Sequence, residues 1–378
     1  MRVALTNPFA WPHVRRGAER LLNDFAAYLA ARGHDVTVYA MAPRAGVERR
    51  SGVTYRLLAE PRRPQWRQFN RCHAFAFALA RALAADAHDA VHCLNYFDAF
   101  AALRARRRTR SAFRVVYQSV GIPTRRYFRA VPIDAWFMRN VLRDADAVLV
   151  LSEFARACLE RDFGRSAEVL PPPVMTGDFA APRTAQPMRS PRSLLFVGDV
   201  DEPRKGARVL CRAFGSVHAR HPEVELILAG RASERTRRAL LALPELARAR
   251  ERVRFLGVGD VADLPPLYRA ASATVLPAVW EAFGLVLVES LAAGTPVVGA
   301  RHAGIPDVVQ GEHVGRLFEP GAFGEQTDNA DALAEAILAV LAQDKSESVV
   351  RACRARADRY SWSALGPRYE AVLRGGAT

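Results

Sequence analysis

The chain has 378 residues, half of them apolar and a quarter charged, the profile of a soluble globular protein of two domains that excludes disordered, fibrous and collagen-like classes. Uncharged runs such as Ala270 to Trp280 and Ser290 to Ala300 stop at Glu281 and Arg301, well short of the ~20 apolar residues that a bilayer span requires. The formal charge of +15 is almost wholly arginine, Lys205 and Lys345 being the only lysines.

In chain order, RVALTN reads as a strand, PFAWPHVRRG as a loop, AERLLNDFAAYLAARG as a helix and HDVTVYA as a second strand. Leu21, Leu22, Phe25, Tyr28 and Leu29 recur at helical spacing and Gly33 stops the helix, which makes a βαβ unit. Strand-like runs follow at VTYRLL, DAVHCL, RVVYQSV and DAVLVLS with helical stretches between them, the alternation of a doubly wound parallel sheet. From about Val169 to Arg192 the alternation gives way to a connector with six prolines beyond residue 170, stiff rather than packed. It then resumes with SLLFVGDV, a helix from Ala207 to Arg220, VELILAG, an Ala- and Leu-rich helix, RVRFLG, a short helix near Leu264 to Ala271, ATVLPA, a helix around VLVESLAAG, and TPVVGA. The expected domains are 1–180 and 181–361, with 362–378 forming a last helix that packs back toward the N-terminal domain. The N-terminus runs straight into a strand without a signal-cleavage region, so a cytoplasmic location is expected. Five widely spaced cysteines without a CxxC pair suggest neither a disulfide framework nor a zinc site.

The chemistry-bearing residues gather in EAFGLVLVESLAAGTPVVGARHAGIPDVV, residues 281–309. Glu281 follows the strand ATVLPA, and Phe283, Gly284 and Leu285 fall where a helix begins, a place that offers unpaired amides to a diphosphate. Gly284 permits close approach and Glu289, further into the helix, can accept from a ribose hydroxyl; the competing reading is an acidic helix start with no ligand. Arg204 and Lys205 lie between a strand and a helix, at the strand end where open α/β sheets bind ligands.

The 281–309 stretch resembles the EX7E motif of the family-4 retaining glycosyltransferases, with both glutamates at the required spacing. GAERLLNDFAAYLAARGHDVTV resembles that family's opening glycine loop and helix, DEPRKGARVLCRAF its phosphate-clamp loop, and RVRFLGVGDVADLPPLYRAASATVLPA its base-binding segment. The resemblance implies the α/β GT-B fold: two Rossmann-like doubly wound parallel-sheet domains facing a central cleft, the N-terminal one on the acceptor side and the C-terminal one binding the nucleotide-sugar. It implies a retaining, metal-independent transferase without cofactor that moves a hexose-type sugar from a UDP- or GDP-linked donor to a hydroxyl-bearing acceptor. Glu281 is then expected at the donor-sugar hydroxyls, the amides of Phe283, Gly284 and Leu285 at the sugar and diphosphate, and Glu289 at the ribose. Lys205, with Arg204, is expected to neutralise the leaving diphosphate. Gly17 is expected to approach the phosphates from the N-terminal domain, and Leu256 and Gly257 to frame the base.

Three positions depart from the family pattern. Gln118 stands where a histidine is usual, and is expected to hydrogen-bond the sugar or the reacting centre without carrying a proton. Asp199 replaces a usual arginine and puts a carboxylate near the diphosphate, with Arg16 or Arg204 supplying the lost cation. Arg16–Gly17 stands for a glycine pair.

Other signals are weaker. DAD at 144–146 and DVD at 199–201 look like metal-binding DxD pairs, but the first reads as a helix end and the GT-B enzymes need no metal. His88 and His92 sit at a strand entry rather than on one helical face, although His92 falls near the cleft the family uses. GxGxxG and GxxxxGK are absent. Trp66, Phe69, Phe75 and Phe77 read as helix packing. The basic runs RARRRTR (104–110) and TRRYFR (124–129) read first as solvated surface of an arginine-rich chain, with peripheral contact to an anionic membrane or acceptor as the alternative; no nucleic-acid module accompanies them, so nucleic acid is not an expected partner. The arginine-rich, lysine-poor usage points to a high-GC organism, many of which make glycosylated natural products, so a small natural-product acceptor, an aminocyclitol or aminoglycoside of antibiotic biosynthesis, is expected. The alternatives are a lipid or polysaccharide precursor at the membrane surface, and a catalytically weakened nucleotide-sugar-binding protein.

Overall fold

The computed structural model describes residues 1–10, 14, 17–60, 71–180, 192–257, 264–321 and 329–376. They divide into two compact units, Met1–Pro173 with Trp362–Thr378, and Val174–Ser361.

The first unit contains β1 (Arg2–Thr6), α1 (Gly17–Ala31), β2 (Asp35–Ala42), β3 (Gly46–Arg50), β4 (Val53–Ala59), α2 (Arg71–Ala85), β5 (Ala90–Cys93), α3 (Tyr96–Thr109), β6 (Arg114–Ser119), α4 (Arg125–Arg129), α5 (Pro132–Asp144), β7 (Ala147–Val150), α6 (Glu153–Phe163) and β8 (Glu168–Val169). Its sheet order is β3-β4-β2-β1-β5-β6-β7-β8. The central strands are apolar on both faces, Val3, Ala4 and Leu5 of β1 being buried, as helix-covered parallel sheets require. The edge strand β3 runs antiparallel to β4 and went unseen in the sequence because GVERR carries no alternation. Its signal is the turn: Ser51 and Gly52 both adopt positive φ, the geometry of a two-residue hairpin loop, and the charges on β3 protect the open edge.

The second unit contains α7 (Thr176–Ala180), β9 (Ser193–Val197), a 3-10 turn at Pro203–Lys205, α8 (Ala207–Arg220), β10 (Glu225–Ala229), α9 (Glu234–Leu241), β11 (Val253–Leu256), α10 (Leu264–Ala270), β12 (Ala273–Leu276), α11 (Leu285–Ala292), β13 (Val297–Ala300), α12 (Ile305–Val308), β14 (Gly315–Phe318), α13 (Ala330–Leu341) and α14 (Glu347–Asp358). Its six strands are ordered β11-β10-β9-β12-β13-β14 and all are parallel. Residues 174–180, read from the prolines as connector, group with this unit: Phe179 is buried with its ring 5.9 Å from Tyr268, and the Val174 amide donates to the Tyr360 carbonyl at 2.7 Å.

The last helix, α15 (Trp362–Arg374), belongs to the first unit. Trp362 stacks on Tyr28 and Phe25 of α1 at 5.0 and 5.7 Å. Gly366 makes this approach feasible, since a Cβ there would lie 2.3 Å from the Tyr28 ring. Among the described residues no helix is long and apolar enough to cross a membrane.

Candidate active site

In the second sheet β9 and β12 are neighbours although three helices and two strands separate them in sequence. The chain leaves them toward opposite sides of the sheet, which makes their C-terminal ends a topological switch point, the place where doubly wound sheets hold ligands. Arg204 and Lys205 follow β9, and Glu281 follows β12. The two loops are stitched together. The Val279 amide donates to the Arg204 carbonyl at 3.0 Å, and the Arg204 guanidinium donates to the Trp280 carbonyl at 2.7 Å.

Gly206 ends the 3-10 turn with φ +79° and lies so close to β12 that a Cβ would fall 2.4 Å from the Pro277 carbonyl oxygen. This contact delivers Lys205 to Glu281: its Nζ donates to Glu281 Oε2, with Arg204 4.0 Å from the same oxygen. Both side chains of the Lys205–Glu281 pair are largely shielded, 19% and 17% exposed. Water therefore screens the pair less than it would a surface ion pair.

Beside this pair α11 begins. Gly284 caps it with φ 101°, and the amides of Phe283, Gly284 and Leu285 make no hydrogen bond among the described residues. The Phe283 ring is buried edge-on against Tyr360 at 5.2 Å. The Glu281 carbonyl accepts from the Gly304 amide at 3.0 Å, and a Cβ on Gly304 would lie 2.1 Å from the Ala282 carbonyl oxygen, which pins the 281–284 loop. Glu289 is buried, and its Oε2 accepts from the Tyr268 hydroxyl at 2.7 Å. The Leu256 carbonyl accepts from the Gly230 amide at 2.9 Å and Gly257 is exposed just beyond β11.

Asp199 is ion-paired. Arg231, at the end of the adjacent β10, donates to Asp199 Oδ2 from Nε and Nη2 at 3.1 and 2.8 Å, while Asp201 accepts from the amide and hydroxyl of Ser233. Arg231 was missed in the sequence because it is distant from the clamp in the chain; the close pairing of Gly198 and Gly230, whose Cβ would lie 1.9 Å from the Gly198 carbonyl oxygen, brings it there. The DAD acids are likewise engaged, Asp144 by Arg107 and Arg143, and Asp146 by Arg106. No group of three metal-ligating side chains occurs among the described residues.

In the first unit Gly17 is the exposed first residue of α1; Arg16 lies outside the described residues. Gln118, expected at the sugar or the reacting centre, stands inside the first unit. It is wholly buried, its Oε1 2.9 Å from His92 Nε2 and its Nε2 donating to the Leu170 carbonyl at 3.2 Å and to the Tyr369 hydroxyl at 2.7 Å. Gln118 is a tie between β5, β6 and α15, not an open catalytic group. His92 shares that interior, edge-on to Phe25 at 5.2 Å.

Burial holds the His92 imidazole down at about 4, below the ~6.5 of an unfolded chain. As pH falls the unfolded chain takes up this proton first, so the stability is intact above about 6.5 and declines toward about 4, by about 3 kcal/mol in all. Thermal midpoints measured between pH 7 and 4.5 should fall more steeply for the parent than for His92→Asn; parallel curves would remove His92 as the cause.

Two doubly wound parallel-sheet units with a clamp loop and helix start at a switch point define a GT-B glycosyltransferase architecture. Residues 15–177 match the model of Glycosyltransferase Family 4, and residues 191–343 that of Glycosyl transferases group 1. The chain belongs to the family-4 glycosyltransferases.

It is 34% identical to the phosphatidyl-myo-inositol mannosyltransferase of Mycolicibacterium smegmatis over 59% of this chain and 57% of that protein. It is also 34% identical to the D-inositol 3-phosphate glycosyltransferase of Segniliparus rotundus, over 56% of this chain and 48% of that protein. The matches thus span about half to three fifths of these relatives' length. Among solved structures, the sucrose-phosphate synthase of Thermosynechococcus elongatus superposes with a TM-score of 0.79 at 21% identity, covering 99% of this chain and 98% of that one. HepE of Anabaena, solved in complex with UDP, gives 0.75 at 18% identity, covering 99% and 100%. These likenesses concern the fold.

Proposed function

We propose that the protein transfers a hexosyl group, with retention and without a metal, from a nucleotide diphosphate-sugar to a hydroxyl of an inositol-phosphate-bearing acceptor presented by a lipid. The observation that carries the transferase reading is the Lys205–Glu281 pair at the switch point beside the open start of α11. In this reaction the bond between the anomeric carbon and the diphosphate oxygen breaks and a bond to the acceptor oxygen forms. The acceptor proton passes to the departing diphosphate on the same face of the sugar.

Lys205 and Arg204 meet the growing negative charge, together with the amides of Phe283, Gly284 and Leu285. Glu281, freed from Lys205 as that cation turns to phosphate, accepts from sugar hydroxyls. Glu289, its carboxylate held by Tyr268, accepts from the ribose, Leu256 and Gly257 frame the base, and Gly17 admits the phosphates from the first unit. The acceptor class rests on the inositol phosphate common to the names of the 34%-identical relatives, which favours the lipid alternative over an aminoglycoside or other natural product.

With fixed cations and amides in these roles a divalent ion has no task. Turnover of a panel of UDP- and GDP-hexoses against phosphatidylinositol and free inositol phosphate should persist in excess chelator, with product keeping the donor's anomeric configuration by proton NMR. Activity lost in chelator and restored by manganese, or an inverted product, would refute this mechanism; donor binding without turnover on any acceptor would identify a nucleotide-sugar-binding protein instead.

A further inference from the structure

The first sheet departs from its own pattern at one edge. On one side of β2 and β4, Val36, Val38, Val53 and Tyr55 are buried; α1 packs on both strands, and its Asn23 accepts from the Tyr55 hydroxyl at 3.4 Å. On the other side the register sets Thr37 beside Thr54 and Tyr39 beside Arg56, with Val47 of β3 opposite Arg56. A helix-covered parallel sheet requires apolar residues on that side too. Thr37, Thr54 and Arg56 are half-buried there instead, and residues that break the local rule of a fold gather at functional places.

The loop between α2 and β5 turns this polar side into a cavity of about 370 Å³, walled by Thr37, Thr54 and Arg56 from the sheet and by Asp86 and His88 from the loop. Arg2 and Asp35, the first residues of β1 and β2, complete the lining with Val47. The cavity thus lies at the N-terminal ends of the strands, opposite to the end where doubly wound sheets hold their substrates. Its size is that of a small ligand pocket.

The hydrogen bonds fix what the walls can offer. The buried Tyr39 donates its hydroxyl proton to Asp86 Oδ2 at 2.5 Å and lies 3.1 Å from His88 Nε2. That proton being spent, His88 Nε2 is the donor of the second bond and its Nδ1 is an acceptor. Burial holds the His88 imidazole below its ordinary value, against Asp86 and with Arg2 and Arg56, so the ring is uncharged at neutral pH. Arg56 donates to the same Asp86 oxygen. Two arginines and two aspartates then line the cavity, and their charges cancel, which leaves neither an anion nor a cation a net attraction. The Thr37 and Thr54 hydroxyls make no hydrogen bond among the described residues, and Asp35 makes no ion pair there. Val47, 63% exposed, adds an aliphatic surface. Closely spaced donors and acceptors without net charge, beside one apolar contact, suit the adjacent hydroxyls and C–H face of a polyhydroxylated ring.

We propose that this cavity binds a neutral hexose or cyclitol ring at the end of the first sheet remote from its substrate end, with neighbouring hydroxyls on Thr37, Thr54 and the Arg56–Asp86 pair and the C–H face on Val47. The site stands independently of the transferase reading. Saturation-transfer difference NMR on the full chain, with mannose, glucose, myo-inositol and a mannobiose as separate probes, tests it without donor or turnover. Ring protons of at least one probe should receive saturation. The affinity should weaken about tenfold or more in Thr37→Val/Thr54→Val, which removes two hydroxyls and keeps the shape and strand preference of the side chains. Salt and inorganic phosphate should not displace the probe, because the walls carry no net charge. Saturation of free mannose or glucose identifies a soluble sugar as the ligand, and saturation confined to the terminal ring of the mannobiose identifies the end of a glycan.

Circular dichroism and any sugar transfer should be the same in parent and variant. If the valine pair fails to fold, Val47→Asp on the exposed edge strand should weaken the same signals by placing a charge against the C–H face. Absence of saturation at every probe, signals undiminished in the folded variants, or displacement by phosphate would overturn the proposal, the last by making the cavity an anion site.

Discussion

Lys205→Ala should lower transfer by on the order of 100-fold or more while leaving the fold intact, because the side chain's charge is aimed at a leaving diphosphate rather than at a core. Its local partner is Glu281, and Arg204 lies 4.0 Å from that carboxylate, so the variant's loop should keep one cation and its backbone tie from Val279 to Arg204. The thermal midpoint should therefore move little. Lys205→Arg, which keeps the charge but changes its geometry, should recover part of the lost rate. Steady-state turnover and the affinity for the free nucleoside diphosphate should both drop for the alanine variant, the rate more than the affinity, since the charge on the diphosphate grows as the bond to the sugar breaks. A rate within a few-fold of the parent would place the phosphate clamp elsewhere. Arg231 would then be the first suspect, a cation at the same sheet edge that is already oriented by Asp199.

Helices of both units were legible from sequence. Ala207–Arg220 in the second unit and the final helix Trp362–Arg374 of the first fall on the residues that apolar spacing marks out, because each packs one stripe against a sheet or helix, and packing of that kind writes itself into local periodicity. Glu281, Phe283 and Gly284 were legible for a similar reason: one contiguous motif holds the whole loop and helix start. What escaped is non-local. Gln118 reads as a polar residue at a strand end, and nothing near it in the chain announces that His92 and Tyr369, the latter 251 residues away, complete its hydrogen bonds. Arg231 escaped for the same reason, since the pairing of β9 with β10 decides that it meets Asp199. Residues 174–180 misled because prolines mark a stiff chain without saying which body it packs on, and that is decided by Phe179 meeting Tyr268.

Gly206→Ala should be as damaging as removal of Lys205, although it deletes no functional group. Two costs add at this position. The φ of +79° lies in the left-handed region, where an L-residue with a Cβ is disfavoured by about 1–2 kcal/mol. The new Cβ would also lie 2.4 Å from the Pro277 oxygen and 2.9 Å from the Pro277 carbonyl carbon, both backbone atoms at the end of a buried strand that cannot step aside. The clamp loop must therefore lift away from β12, breaking the bonds from Val279 to the Arg204 carbonyl and from Arg204 to the Trp280 carbonyl, and with them the register of Lys205 on Glu281. Misplacing a charge-stabilising group by about 1 Å is enough to cost on the order of 100-fold in rate. Gly177→Ala is the control in the same unit: it sits in α7 with nothing within 4 Å of its Cβ, and a helical alanine there should preserve both stability and turnover. The expected outcome is a Gly206→Ala protein with native-like circular dichroism, nucleotide affinity reduced and transfer nearly lost. If it turns over like the parent, the loop does not need β12 to present its cations, and the seating of Lys205 on Glu281 is incidental to catalysis.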